Sequence, residues 1–137
     1  MGRILAIDYG LKRVGLAVTD PLRIIASPLD TVATHHIISY LEDYCKQELV
    51  DLFVVGLPKN LDNSDTHATQ PVRAFTRQIE KKFPRQSVHL HDERFTSKMA
   101  LEAMIAGGTS KKYRRQKGNI DKVSATIILQ SYLSSIP

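Results

Sequence analysis

A single cysteine, Cys45, is the entire thiol content of this 137-residue chain. That excludes an intramolecular disulfide and a cysteine-built zinc cluster, and it fits a reducing, cytoplasmic compartment. Nowhere does the sequence approach the roughly 20 consecutive apolar residues of a membrane span, so no membrane partner is expected. No apolar signal segment with a cleavage site opens the chain; Met1-Gly2-Arg3 leads straight into an apolar run. Internal repeats, low-complexity tracts and linkers are also lacking. Residues 1–137 therefore read as one soluble domain, large enough to bury roughly two thirds of the surface its unfolded chain exposes. Acidic residues are the minority charge: 14 Asp and Glu against 19 Lys and Arg give +5.

The basic excess is concentrated. Lys111-Lys112-Tyr113-Arg114-Arg115-Gln116-Lys117 places five cations in seven positions around an aromatic ring. Such a block often forms only a solvated loop. It also suits an arm that contacts phosphates, with Tyr113 stacking on a base. It lacks the apolar face that a membrane-surface helix requires.

Hydrophobic periodicity organises the remainder. Ile4-Leu5-Ala6-Ile7 reads as a buried strand ending in Asp8, and Val14 to Val18 as its antiparallel return across a turn flanked by Gly10 and Gly15. Arg23 to Leu29 predicts a third, short edge strand stopped by Pro28. From about Thr34, taken as N-cap, to Glu48, Ile37, Ile38, Leu41, Tyr44, Cys45 and Leu49 recur at helical spacing. Leu52-Phe53-Val54-Val55, closed by Gly56-Leu57-Pro58, is a parallel strand covered on both sides. A helix from Thr66 or Gln70 to Lys82 follows, with Pro71 in its first turn. Ser87 to His91 is the fifth strand, and a further helix runs from Thr96 to Gly107-Gly108. The last helix is capped by Asn119, with Asp121 in its first turn and small Ser124 and Ala125 allowing close packing. The fold class is α/β: a mixed five-stranded sheet, antiparallel in its first three strands and then built by parallel βαβ crossovers, with the first strand central.

In that topology the carboxyl ends of the first, fourth and fifth strands share one edge, where open α/β sheets bind ligands. Asp8 and Glu93 would meet there, and Asp121 opens a helix nearby. Each has an ordinary explanation: Asp8 a turn cap, Glu93 a partner of Arg94, Asp121 a favourable charge at a helix start. Their coincidence favours a shared role. Three carboxylates gathered together repel unless cations neutralise them, and Mg²⁺ suits oxygen donors. Two ions about 3.5 to 4 Å apart would activate a water and stabilise the leaving oxygen of a phosphodiester. Asp8, Glu93 and Asp121 are thus the candidate catalytic residues and metal ligands, with Mg²⁺ or Mn²⁺ as cofactor. Candidate nucleic-acid contacts are Lys12, Arg13, Asn60, Arg94, Lys111, Lys112, Tyr113, Arg114, Arg115 and Lys117. A competing zinc site of His89, His91 and Glu93, alternate residues on one strand face, would leave Asp8 unexplained. No Ser/His/Asp or Cys/His grouping is justified by spacing.

Several ordered motifs resemble one family. Asp8-Tyr9-Gly10 with Lys12-Arg13-Val14-Gly15, Val55-Gly56-Leu57-Pro58 with Asn60 and Asp62, His91-Asp92-Glu93-Arg94 with Thr96-Ser97, and Lys117 with Asp121 before Ser124-Ala125 and Ile128 to Leu133 are similar to the YqgF family, also called RuvX. The resemblance implies an RNase H-like fold and a bacterial cytoplasmic, metal-dependent nuclease, with the family's acidic triad falling on Asp8, Glu93 and Asp121. The family has been described both as a nuclease maturing the 5′ end of the small-subunit ribosomal RNA precursor and as a Holliday junction resolvase. Where the family usually has Gly after Asp62, this chain has Asn63-Ser64, and Asn tolerates the same left-handed backbone. Pre-16S rRNA processing is the leading reading, with RNA favoured over DNA and a monomer or weak homodimer expected. Junction resolution in DNA and a non-catalytic nucleic-acid-binding module are the alternatives. An Asp-x-Gly hairpin also opens two-lobed sugar kinases and actin-like ATPases, but 137 residues supply only one lobe.

Overall fold

The computed structural model describes residues 2–60, 62, 64–93 and 117–136, with the backbone alone at 117 and 118. Five strands, β1 (Arg3–Tyr9), β2 (Arg13–Thr19), β3 (Ala26–Ala33), β4 (Val50–Leu57) and β5 (Ser87–Asp92), form one sheet in the order β3-β2-β1-β4-β5. β1 pairs antiparallel with β2 and parallel with β4, and β4 pairs parallel with β5. Among the described residues three helices, α1 (Ile37–Gln47), α2 (Thr69–Lys82) and α3 (Lys117–Ser135), pack against it. The mixed five-stranded sheet with a central first strand is the architecture expected from the apolar runs.

Strand alternation sorts the core into two layers. Leu5, Ile7, Leu16, Phe53 and Val55 face α1 and α2, joined by Ile37, Leu41, Val72, Phe75 and Ile79. Ile4, Ala6, Ala17 and Val54 face α3, against Ala125, Ile128, Leu129 and Tyr132. Asp8, two residues beyond Ala6, belongs to the α3 face, whereas Tyr9 turns to the other and stacks on Phe75 with ring centroids 4.4 Å apart.

Four local expectations are corrected. β3 does not stop at Pro28; it starts at Ala26 and runs on to Ala33, because a register shift between Leu16 and Ala17 places Pro28 at a bulge on the sheet edge. Thr34 does not cap α1. It opens a 3₁₀ turn, Thr34–His36, and its hydroxyl donates to the Gly10 carbonyl at 2.7 Å while its N–H bonds Lys12 O at 3.0 Å, so it pins the β1–β2 turn. Leu49, assigned to the apolar stripe of α1, lies past the helix end and is 65% exposed. α3 begins at Lys117, which puts Asn119 inside the helix and Asp121 beyond its first turn. The Thr96 to Gly108 helix lies outside the described residues. Among the described residues, no helix is long and apolar enough to cross a membrane.

Phe53 is fully buried on β4 and meets Phe83 edge-on, centroids 5.4 Å apart. Truncation there leaves a cavity that neighbouring strands cannot close. Phe53→Ala should lower unfolding free energy by about 3–5 kcal/mol, measured by urea denaturation at constant m-value.

Candidate active site

The site lies at the end of β1 on the α3 face. Asp8 sits one residue before the strand ends, in register with Gly15 on β2. Glu93 follows β5 directly, and its N–H bonds the Leu57 carbonyl at 3.2 Å, anchoring it beside the end of β4. Asp121 comes from α3, which lies across the sheet. These three carboxylates arrive from three elements far apart in the chain.

Two glycines permit that meeting. A Cβ on Gly15 would collide with the Asp121 backbone carbonyl and lie 2.9 Å from the Asp121 Cβ. A Cβ on Gly56 would lie 2.6 Å from Ile128 Cδ1 and 2.7 Å from Glu93 Oε2. Both glycines are interior strand residues, not the turn and strand-end positions expected from sequence. A glycine inside a strand pattern signals close approach of another segment, and that was the available clue.

The electrostatics follow from crowding. Asp8 and Glu93 share a hydrogen bond. Burial first, then the Asp121 charge, raise Asp8 from an ordinary 3.8 to about 6, with the Glu93 hydrogen bond opposing them. Burial first, then Asp8, raise Glu93 from 4.5 to about 9. Near neutrality the pair shares one proton across this hydrogen bond. Asp121 is neutralised differently: Arg13 Nε donates to its Oδ2 at 2.9 Å. Arg13, a candidate nucleic-acid contact from the sequence, is the first residue of β2 and is engaged in this ion pair.

The remaining candidates separate. Lys12 is exposed in the β1–β2 turn. Asn60 uses its amide within its own loop, donating to Ser64 Oγ at 3.0 Å and to the Asp65 carbonyl at 3.2 Å. Arg94, Lys111, Lys112, Tyr113, Arg114 and Arg115 lie outside the described residues, as do Asn63 and the Lys117 side chain. His89 and His91 do share the face of Glu93, but their rings engage α3: His89 Nδ1 lies 2.7 Å from the Tyr132 hydroxyl and His91 Nε2 2.8 Å from Ser131 Oγ. They staple β5 to the helix that carries Asp121. Among the described residues, no group of three or more His, Cys, Asp or Glu is arranged as a ready-made metal cage. The all-oxygen donor set of Asp8 and Glu93 still fits a hard divalent cation, since Mg²⁺ is commonly held by one or two carboxylates with water and substrate phosphate completing its shell.

A mixed five-stranded sheet with acids converging at the end of its central strand defines an RNase H-like protein, and solved structures share the fold. The Fowlpox virus resolvase bound to Holliday junction DNA matches with a TM-score of 0.63 at 13% identity, over 97% of each chain. Thermus thermophilus RuvC in complex with a Holliday junction substrate matches with a TM-score of 0.56 at 14% identity, over 98% of this chain and 95% of the other. At such identities the likeness establishes the fold alone. The chain belongs to the RuvX family: the model described as "RuvX: Holliday junction resolvase" matches residues 2–135. Curated relatives include proteins named "Putative pre-16S rRNA nuclease" from Amoebophilus asiaticus, 54% identical over 98% of this chain and 96% of that protein, and from Christiangramia forsetii, 51% identical over 97% and 98%.

Two outcomes follow from the geometry. Gly15→Ala should push α3 off the sheet and destabilise the fold by about 1–3 kcal/mol, read by denaturant unfolding. The second concerns pH. Both carboxyl groups have raised folded pKa values, so the folded metal-free protein binds more protons than the unfolded chain between about pH 4 and 9, and its stability falls as pH rises through that window. Glu93→Gln cannot ionise and should flatten the upper part of the decline, gaining about 1 kcal/mol or more over the native protein at pH 8 in pH-dependent thermal unfolding.

Proposed function

We propose that this chain is a divalent-metal-dependent hydrolase that cleaves phosphodiester bonds of structured RNA, maturing the 5′ end of pre-16S ribosomal RNA. The observation that carries the reading is the convergence of Asp8, Glu93 and Asp121 over Gly15 and Gly56 at the end of β1. The names of the relatives, which cover nearly the whole chain, support the ribosomal substrate. The family description and the shared resolvase fold support the second reading, a resolvase acting on Holliday junctions in DNA.

Asp8 and Glu93 would hold the cation, joined by Asp121 once Arg13 releases it. Mg²⁺ or Mn²⁺, as two ions with substrate present, supplies water activation and stabilisation of the leaving oxygen. The chain's own residues prepare that state. Glu93 must give up the proton it shares with Asp8, so cation affinity rises with pH. Arg13, freed from Asp121, is positioned to pair with a phosphate oxygen, and exposed Lys12 extends the cationic edge. Arg94 and the block from Lys111 to Lys117, with Tyr113 as a stacking ring, are assigned to the nucleic-acid backbone beyond the scissile bond. A monomer serves a single precursor end; a symmetric junction calls for a dimer with two sites.

One preparation assayed on a ribosomal precursor and on a four-way DNA junction, with and without Mg²⁺, tests these readings. Asp8→Asn should reduce metal-dependent cleavage by more than about 100-fold, beyond the usual loss from outer-shell partners of a metal site. Wild-type rates in that variant would sink the assignment. Binding that ignores metal and the acids, and only weakens with salt by about −0.9 in log-log slope per neutralised phosphate, would identify a non-catalytic binding module.

A further inference from the structure

A concavity opens on the face of the sheet opposite the acids. It is an open groove of about 580 Å³ between the β1–β2 turn, the Thr34–His36 turn and α2. Its deep wall is apolar and aromatic: Tyr9, stacked on buried Phe75, and buried Ile37. Its lip is polar and exposed, with Lys12, His35 and Gln78. The Thr34 hydroxyl is spent on the Gly10 carbonyl, so Gln78 is the group with a free-standing amide donor and acceptor at the mouth.

We infer that this groove is a nucleobase subsite, which takes an unstacked base of the substrate strand flanking the scissile phosphate. The inference rests on the nuclease reading above. A volume of this size, an aromatic wall, a neutral amide at the edge and a lysine at the rim match a planar heterocycle carried on an anionic backbone. Tyr9 directly follows Asp8, so the two sites are carried by adjacent residues, whose Cα atoms are about 3.8 Å apart, but open on opposite faces. A strand whose phosphate lies at Asp8 must pass over exposed Leu11 and Lys12 to reach the groove. A base in continuous duplex cannot make that crossing, because it remains paired and stacked. The substrate is therefore defined further: a structured nucleic acid with a single-stranded or splayed flank at the cleavage point, the form in which bases are presented to aromatic side chains.

The test uses the full chain and hairpin oligonucleotides ending either in a single-stranded tail or blunt, with one tail position at a time made abasic. The tail should raise affinity at least about fivefold, the low end of what one base on an aromatic platform contributes. One abasic position should cancel that gain. The exposed double substitution His35→Ala with Gln78→Ala, which leaves the core untouched, should weaken tailed but not blunt hairpins, and the abasic site should then add little, as expected for two changes in one interaction. Equal affinity for tailed, abasic and blunt hairpins, or equal weakening of all three in the variant, would overturn the subsite while leaving blunt-substrate cleavage to report on the nuclease reading. Absence of any nucleic-acid binding by the native protein would overturn both.

Discussion

The close approach of α3 to the sheet is the constraint on which the site depends. Side chains normally hold a helix well clear of a strand, yet here the Asp121 backbone lies directly over Gly15, and Ile128 and Glu93 fill the space over Gly56. The buried seam of α3 is correspondingly small at the active end, with Ser124 and Ala125, and larger at the far end, with Ile128, Leu129 and Tyr132. The helix therefore lies nearest the sheet where it delivers its carboxylate. His89 and His91 fasten the far end to β5, so the strand that leads to Glu93 and the helix that carries Asp121 are fixed to each other as well as to β1.

Bringing three acids together creates repulsion, and the fold relieves it with a proton and a guanidinium. Asp8 and Glu93 share a proton, while Arg13 pairs with Asp121. Both devices occupy the positions where positive charge is needed, and both are reversible. A cation can displace the proton, and a phosphate can compete for Arg13. The relief of that repulsion and the capacity to accept metal and substrate are thus linked consequences of the same crowding.

The β1–β2 turn joins the two faces of the sheet. Thr34 binds Gly10 and Lys12 in that turn, which holds Asp8 toward α3 and Tyr9 toward α2. The alternation of strand side chains does the rest, giving the acid and the aromatic groove separate faces only one residue apart.

The strand runs, the helix periods of α1 and α2, the central place of β1 and the meeting of Asp8 with Glu93 were all legible in the linear sequence. Local spacing and the parallel crossover rules determine them: Val72, Phe75 and Ile79 recur on one face of α2 and, with Phe83 just past its end, are all buried. What spacing could not decide is where a segment passes over another. The continuation of β3 through Pro28 depends on a bulge in β3 itself, opposite Leu16 and Ala17, the Thr34 hydroxyl turns to a strand turn instead of a helix end, and Arg13 is drawn to Asp121, which arrives above it. By itself the sequence determined which residue types could do the chemistry and on which strand ends they stand. Only the tertiary structure decided that α3 would press onto Gly15: small Ser124 and Ala125 signalled close packing, but the contact joins residues more than a hundred positions apart, and local periodicity does not say which strand residue lies beneath the helix.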